Sequence, residues 1–378
     1  MLRILFIGMM AALVATPLHN AQARPLPSVP VGFTITEIAH VGGARELAFT
    51  PNGDLLIGTS GSDVYIVAHA EERPATPAVF AHIDDAPLAG VIYAHDAVFF
   101  GGQFGVYRTP YRNGDPRAAH SPVKIASVRT SGVSSDHVTT SLAYTHEMLF
   151  ASVGSSCNTC EPELDATRAT IQQMQLDGSH KTAKAVHIRN AIALAVNPAT
   201  GTLWAGVAGQ DELAHGHPFE IFDAITVHAG IADYGWPFCF ENRKAVSPGH
   251  DCSHALEPRV VFPAYETPIG AVFYANPRGG RYAFPRAYWG GAFVTLHGSW
   301  HRPLVPPRVI FVPMHGDDPQ RGVDWERPDA QWHEFVGGFQ VEGDERIARP
   351  TGIAVGPQGD LFVAEDLGGA IYRIRPKR

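Results

Sequence analysis

The sequence predicts an all-β fold, a six-bladed β-propeller of four-stranded antiparallel blades, and three observations predict it. A short apolar run, a turn and a second apolar run recur six times along the 378 residues. The turns between the runs carry the Gly and Asn that tight hairpins need, and a third apolar run usually follows. With Gly at 38 positions and Pro at 30, the chain has turn residues for many short strands.

The repeats are read in order as RELAFTPNGDLLIGT (45–59), GVIYAHDAVFFGG (90–102), SLAYTHEMLFASVGS (141–155) and IALAVNPATGTLWAGV (192–207). GAVFY (270–274) pairs with GGAFVTLHG (290–298) across an insertion, and GIAVGPQGDLFVAED spans 352–366. Third runs follow at 64–67, 106–108, 308–312 and 371–374. Leu47, Val91, Leu142 and Leu194 stand at a blade-like spacing of about 40–50 residues. Val272 and Ile353 come later because insertions intervene, at 208–268 and 275–290. Each unit is a meander unable to bury both faces alone, whereas six around an axis bury one another and leave little open sheet edge. A long β-sandwich does not account for six similar units. The run FTITEIA (33–39) is expected to join the C-terminal blade and close the ring.

A chain that is 45% hydrophobic and 17% charged is not a disordered tail. Its net charge of −8 argues against nucleic acid as partner, because phosphate binding needs a basic surface. Arg3, the apolar run Ile4–Val14 and the small-residue site Ala21-Gln22-Ala23 predict a secretory signal peptide over 1–23. The run is shorter than the roughly 20 residues a membrane span needs. The mature chain, 24–378, is expected to be one propeller domain without a span, periplasmic or secreted. Export makes Cys157 with Cys160, and Cys239 with Cys252, candidate disulfides. A zinc site of Cys239, His250, Cys252 and His254 is the alternative, with irregular spacing. The C-N-T-C run lacks the His that haem attachment requires.

The segments that break the blade pattern carry the chemistry. His137 lies on a loop leading into the third repeat, a place from which an imidazole can face the central cleft and take a proton. By spacing alone it is also simply one of 19 histidines. Arg189-Asn190 opens the fourth repeat and Arg349 the last, while Arg302 ends the loop HGSWHR (297–302). Guanidinium groups from equivalent blade starts suit a polycarboxylate ligand, and ordinary surface arginines remain the alternative. Carboxylates and loop carbonyls in VAGQDELAHGHPFEI (207–221) could hold a hard cation such as Ca²⁺. Neither a G-x-G-x-x-G fingerprint nor a G-x-S-x-G elbow is present.

The ordered set GSSCNTCEPELDATRATI (154–171), IRNAIALAVNPATGTLWAG (188–206), DYGWPFC (233–239), TPIGAVFY (267–274), HGSWHR and RPTGIAVGPQGDLFVAED (349–366) resembles the glucose/sorbosone dehydrogenase family, most closely its sorbosone dehydrogenase-like branch. The resemblance implies an exported six-bladed propeller that uses pyrroloquinoline quinone (PQQ) and Ca²⁺ to oxidise a sugar or sugar-derived aldehyde, with electrons passing to an external acceptor. It implies His137 as base, Arg189, Asn190, Arg302 and Arg349 as cofactor ligands, and carbonyls at Gly209 and Gln210 on the catalytic Ca²⁺. Glu220 and the Tyr234 carbonyl match a second, structural Ca²⁺ site. This chain departs from the pattern where Ser141 replaces an arginine, Ser155 an orienting aspartate, Phe219 an aspartate and His301 an asparagine. Two rivals to the enzyme stand beside it: a non-catalytic propeller binding module, which the changes at Ser141, Ser155 and Phe219 would suit, and a Ca²⁺-dependent lactonase-type hydrolase, which would need a metal held by convergent carboxylate and Asn side chains.

Overall fold

The structure, a computed structural model, describes residues 25–130, 136–213, 216–275, 279–299, 304–341 and 344–378. The expected signal peptide and Arg302 lie outside these described residues. Six four-stranded meanders stand in a ring, as the repeats predict. The first blade runs Ala44–Phe49, Leu55–Thr59, Asp63–Val67 and Ala78–His82, and the second Gly90–Ala94, Ala97–Gly101, Gly105–Pro110 and Val123–Ser127. The third comprises Leu142–Thr145, Met148–Val153, Thr170–Met174 and Thr182–Val186, and the fourth Ala191–Val196, Leu203–Val207, Glu220–Ala224 and Val260–Phe262. Pro268–Phe273, Ala292–Leu296, Arg308–Val312 and His333–Val336 make the fifth.

The sixth blade takes Pro350–Val355, Leu361–Glu365 and Ala370–Pro376 from the C-terminus, and its outer strand is Phe33–His40 from the far end of the chain. Phe33 pairs with Pro376 and His40 with Ala370, antiparallel, so the expected closure is realised. Thr351 Oγ1 donates to Ala44 O across the same seam (2.9 Å).

The second strand of each blade explains why the repeats read as continuous apolar runs rather than alternating ones. LLIGT, AVFFG, LWAGV, AFVTL and LFVAE are buried at every position, because neighbouring blades cover both faces. Outer strands see solvent, and Val123–Ser127 is mostly exposed. The core is therefore a set of inter-blade clusters. Trp204 of the fourth blade packs on Phe273 of the fifth (5.7 Å between ring centroids). Phe33, Phe284, Phe293 and Phe335 fill the junction where the ring closes.

Turn chemistry follows expectation at Gly201 (φ +75°) and Gly359 (φ +92°). In the second and third blades, His95-Asp96 and His146-Glu147 take positive φ at both turn positions, the type I′ geometry that matches strand twist. Close approach fixes another glycine: a Cβ on Gly352 would lie 2.0 Å from Arg45 O, a backbone atom that cannot step aside. Gly352→Ala is expected to cost about 1–3 kcal/mol of stability, measured as the shift of the denaturant midpoint. An unchanged midpoint would mean that the seam between the first and sixth blades yields.

The first insertion lays Ala232–Asp233 parallel to the outer strand of the third blade and then forms a small hairpin, Cys239–Phe240 with Lys244–Ala245. Both cysteine pairs are disulfides, Cys157–Cys160 and Cys239–Cys252, so Cys239 and Cys252 supply no thiolate to the zinc alternative.

Candidate active site

The leading ends of the innermost strands meet at one rim of the ring. Glu46 N donates to Ala89 O (3.3 Å), joining the first and second blades. Ser141 Oγ donates to Ile192 O (2.6 Å), joining the third and fourth. His137, Arg189, Asn190, Arg45 and Arg349 all stand at or just before these ends. Below the rim, the six innermost strands line a central channel of about 460 Å³.

His137 turns its ring onto Ser155. Its backbone takes positive φ (+47°), and its Nδ1 lies 3.0 Å from Ser155 O and 2.9 Å from Ser155 Oγ. A carbonyl only accepts, so Nδ1 carries the proton and Nε2 keeps the lone pair. Ser155, standing where relatives place an aspartate, thus still fixes the tautomer. Burial pushes the imidazole down to about 4, and the Arg189 charge pushes it the same way. Gly154 allows the assembly: a Cβ there would sit 2.4 Å from His137 Cβ and 2.5 Å from Asn190 Oδ1.

Two buried arginines that sequence reasoning missed tie this loop down. Arg168 donates through Nη2 to Asp136 O and Ser155 O (both 2.6 Å) and through Nε to Gly154 O (2.9 Å). Arg129 Nη2 donates to His137 O (2.9 Å).

Arg189 is buried and engaged by protein groups. Nε and Nη2 donate to Asn158 O and Oδ1 (3.2 and 2.9 Å), Nη1 to Ala208 O (3.3 Å), and Nη2 also pairs with Asp211 (3.3 Å). Next to it, Gly209 N donates to Glu220 Oε2 (2.6 Å) and Tyr265 N to Glu220 Oε1 (3.0 Å). Burial pushes Glu220 up to about 7, while the Gly209 N–H and the Arg189 charge pull it down. Gln210 is buried and, with Gly209, Arg189 and Tyr234, lines a small pocket of about 70 Å³ under the first insertion. Tyr234 turns its hydroxyl to Asp223 (2.6 Å). Phe219 stacks on His217 and Trp325. Among the described residues, no group of three or more His, Cys, Asp or Glu side chains converges to hold a metal. Any cation here would rest chiefly on backbone carbonyls.

Arg349 belongs to a second cluster, built around Asp366. Arg349 Nε (3.0 Å), Arg45 Nη1 (3.2 Å) and His297 Nε2 (3.2 Å) all reach that carboxylate. Burial pushes Asp366 up, but His297, Arg349 and Arg45 together hold it below the usual carboxylate range. Two guanidinium groups against one carboxylate leave surplus positive charge, which fits an anionic ligand. Arg45 was legible in principle: it opens the first repeat as Arg189 precedes the fourth and Arg349 the last. Glu46 follows it, with Oε1 buried and without a hydrogen-bond partner. Burial pushes this carboxyl up to about 8.

Residues 217–377, less than half of the chain, match the TrAA12-like family model. The fold is shared with three solved structures. The iodide structure of a Trichoderma reesei carbohydrate-active enzyme of family AA12 superposes with TM-score 0.77 at 19% identity, covering 95% of this chain and 100% of that one. The holo PQQ domain of pyranose dehydrogenase from Coprinopsis cinerea gives 0.77 at 16% identity, covering 94% and 98%. The PQQ-bound aldose sugar dehydrogenase of Streptomyces coelicolor gives 0.63 at 17% identity, covering 93% and 100%. The chain thus has the propeller fold of the PQQ sugar dehydrogenases, the group its motifs resemble. An uncharacterized protein of Borreliella burgdorferi is 24% identical over 230 residues, 60% of this chain and 56% of that protein, so the match spans little more than half of its length.

Proposed function

We propose that the chain is a PQQ- and Ca²⁺-dependent dehydrogenase, exported from the cell, that oxidises a sugar or sugar-derived aldehyde and passes electrons to an external acceptor. One observation carries this reading: His137, with its tautomer set by Ser155, meets Asn190 and Arg189 at the rim. The Arg45–Arg349–Asp366 cluster stands at the leading ends of other innermost strands.

The fit to PQQ, a tricarboxylate, rests on that cluster's surplus positive charge. Arg189, Arg349, Arg45 and Asn190 would hold the cofactor, and the Gly209 and Gln210 carbonyls would hold the cation. When bound, PQQ supplies a two-electron acceptor and Ca²⁺ a Lewis acid. The protein's own part is proton handling and orientation. His137 Nε2 accepts the proton of the substrate hydroxyl, and Ser155 keeps the imidazole plane and tautomer fixed during that transfer. Arg168 and Arg129 hold the loop that carries it. Asn190 stays against Gly154, within reach of the same space. The two disulfides suit an oxidising compartment.

The test is a titration of the purified chain with PQQ in the presence of Ca²⁺, followed by dye reduction with an aldose or sorbosone. A saturable change in quinone absorbance and substrate-dependent dye reduction are expected. Absence of saturable binding would favour the binding-module reading.

A further inference from the structure

We infer that the Cys157–Cys160 loop is a redox-sensitive clamp on the candidate site, with Asn158 inside it as the residue that positions Arg189. The inference rests on the reading of the rim as a PQQ site. The two disulfides differ in their surroundings: Cys239 and Cys252 are buried, whereas Cys157 and Cys160 are half-buried beside exposed Thr159. Cys157–Cys160 is therefore the more exposed of the two bridges to an external thiol.

That pair closes a four-residue loop from which two hydrogen-bond chains lead to the site. In one, His137 Nδ1–H reaches Ser155 Oγ (2.9 Å), and Ser155 Oγ–H donates to Cys157 O (2.7 Å). In the other, Asn158 receives Arg189 on both its backbone and side-chain oxygens. Asn158 also clasps the loop that follows Gln210: its Oδ1 accepts from Asp211 N (2.8 Å), and its Nδ2 donates to Asp211 O (3.0 Å). A third tie, Ser155 N to Arg189 O (2.7 Å), links the two chains. The carbonyls of Cys157 and Asn158 thus hold the base and the buried guanidinium through a loop whose short span is fixed by one covalent bond.

Exchange with an external dithiol balances simply. One dithiol thiolate attacks a loop sulfur and displaces the other as a thiolate. The second dithiol sulfur then resolves the mixed disulfide, so that Cys157 and Cys160 gain two electrons and two protons and the dithiol becomes a disulfide. With the ring opened, the segment that carries Cys157 O and Asn158 is no longer pinned to Cys160, so both can shift and the two chains slacken together.

The experiment compares PQQ titrations, with Ca²⁺, of the oxidised chain and of the chain treated with dithiothreitol. Alkylation and mass spectrometry select a dose that reduces Cys157 and Cys160 but leaves Cys239–Cys252 intact. Reduction is expected to weaken quinone binding about 10–100-fold, the scale of lost hydrogen bonds to a charged group. Asn158→Ala, which keeps the disulfide, is expected to weaken it similarly when oxidised and to respond little to reduction. Equal affinity of the wild-type chain in both redox states overturns the clamp and leaves the functional reading standing. If the oxidised chain binds no quinone, the functional reading falls instead, and hydrogen exchange decides the clamp. Faster exchange around 136–137, 189 and 211 on reduction supports it, and unchanged exchange there overturns it.

Discussion

Replacing His137 with Ala is expected to lower turnover about 10²–10⁴-fold, the usual worth of a positioned base, while PQQ binding survives. The separation of effects follows from the geometry. His137 owes its place to its own backbone, held by Arg129 through the carbonyl and by Arg168 through Asp136 O. Truncating the ring leaves those struts and the Arg349 cluster untouched. Burial and Arg189 keep the imidazole near 4, so in the cofactor-free chain it is neutral throughout the physiological range and Nε2 is free to take a proton. An anionic ligand beside Arg189 offsets that charge and lifts the ring back toward its ordinary value, where proton uptake near neutral pH is more favourable. Steady-state dye reduction, paired with a quinone titration of the same variant, makes the measurement. Undiminished turnover would remove His137 from the chemistry.

The second large effect concerns stability and pH. Glu46 stands on the innermost strand of the first blade, its carboxyl buried and pushed up to about 8 from an ordinary 4.5. A carboxyl raised in the folded state holds a proton that the unfolded chain has already released. Its contribution is therefore complete below about 4.5 and is lost as pH climbs through 8. Between pH 6 and 9 this one group should cost on the order of 2 kcal/mol. Glu71, also raised to about 8 by burial and by Asp360, adds a slope of the same sign. Glu46→Gln, neutral at every pH, is expected to match the wild type near pH 4.5, to be ahead of it by about 2 kcal/mol at pH 6 and to gain further toward pH 9. Denaturant unfolding at pH 6, 7.5 and 9 reads this directly, and parallel curves for the two proteins would show that Glu46 is ionised in the fold.

The ring was legible because its signals are local. A hairpin such as LAFTPNGDLLIGT contains both apolar strands and the turn that joins them, and burial of the second strand on both faces writes an uninterrupted apolar run. The role of Phe33–His40 could be read for the same reason, as a strand without a partner nearby. The site was harder, because its contacts join distant segments. Arg45 and Asp366 meet across 321 residues of chain, and nothing in the spacing of either announces the other. Arg168 lies inside a stretch read only for its motif, yet it holds the carbonyls of Asp136, Gly154 and Ser155 around His137. Arg189 was read as an arginine available to a ligand, and the structure shows it already gripped by Asn158 and Asp211. Aspartate at position 155 would have named the base's partner at once. Ser155 meets the His137 ring through its carbonyl and hydroxyl instead, which composition alone does not reveal.

The seam formed by the chain's two extremities sets an order on assembly. Blades one to five can each be completed from neighbouring segments as they are synthesised, but the sixth waits for both tails to find each other. Until both tails meet the circle stays unlatched, and removing Phe33–His40 would leave the sixth blade with an open edge.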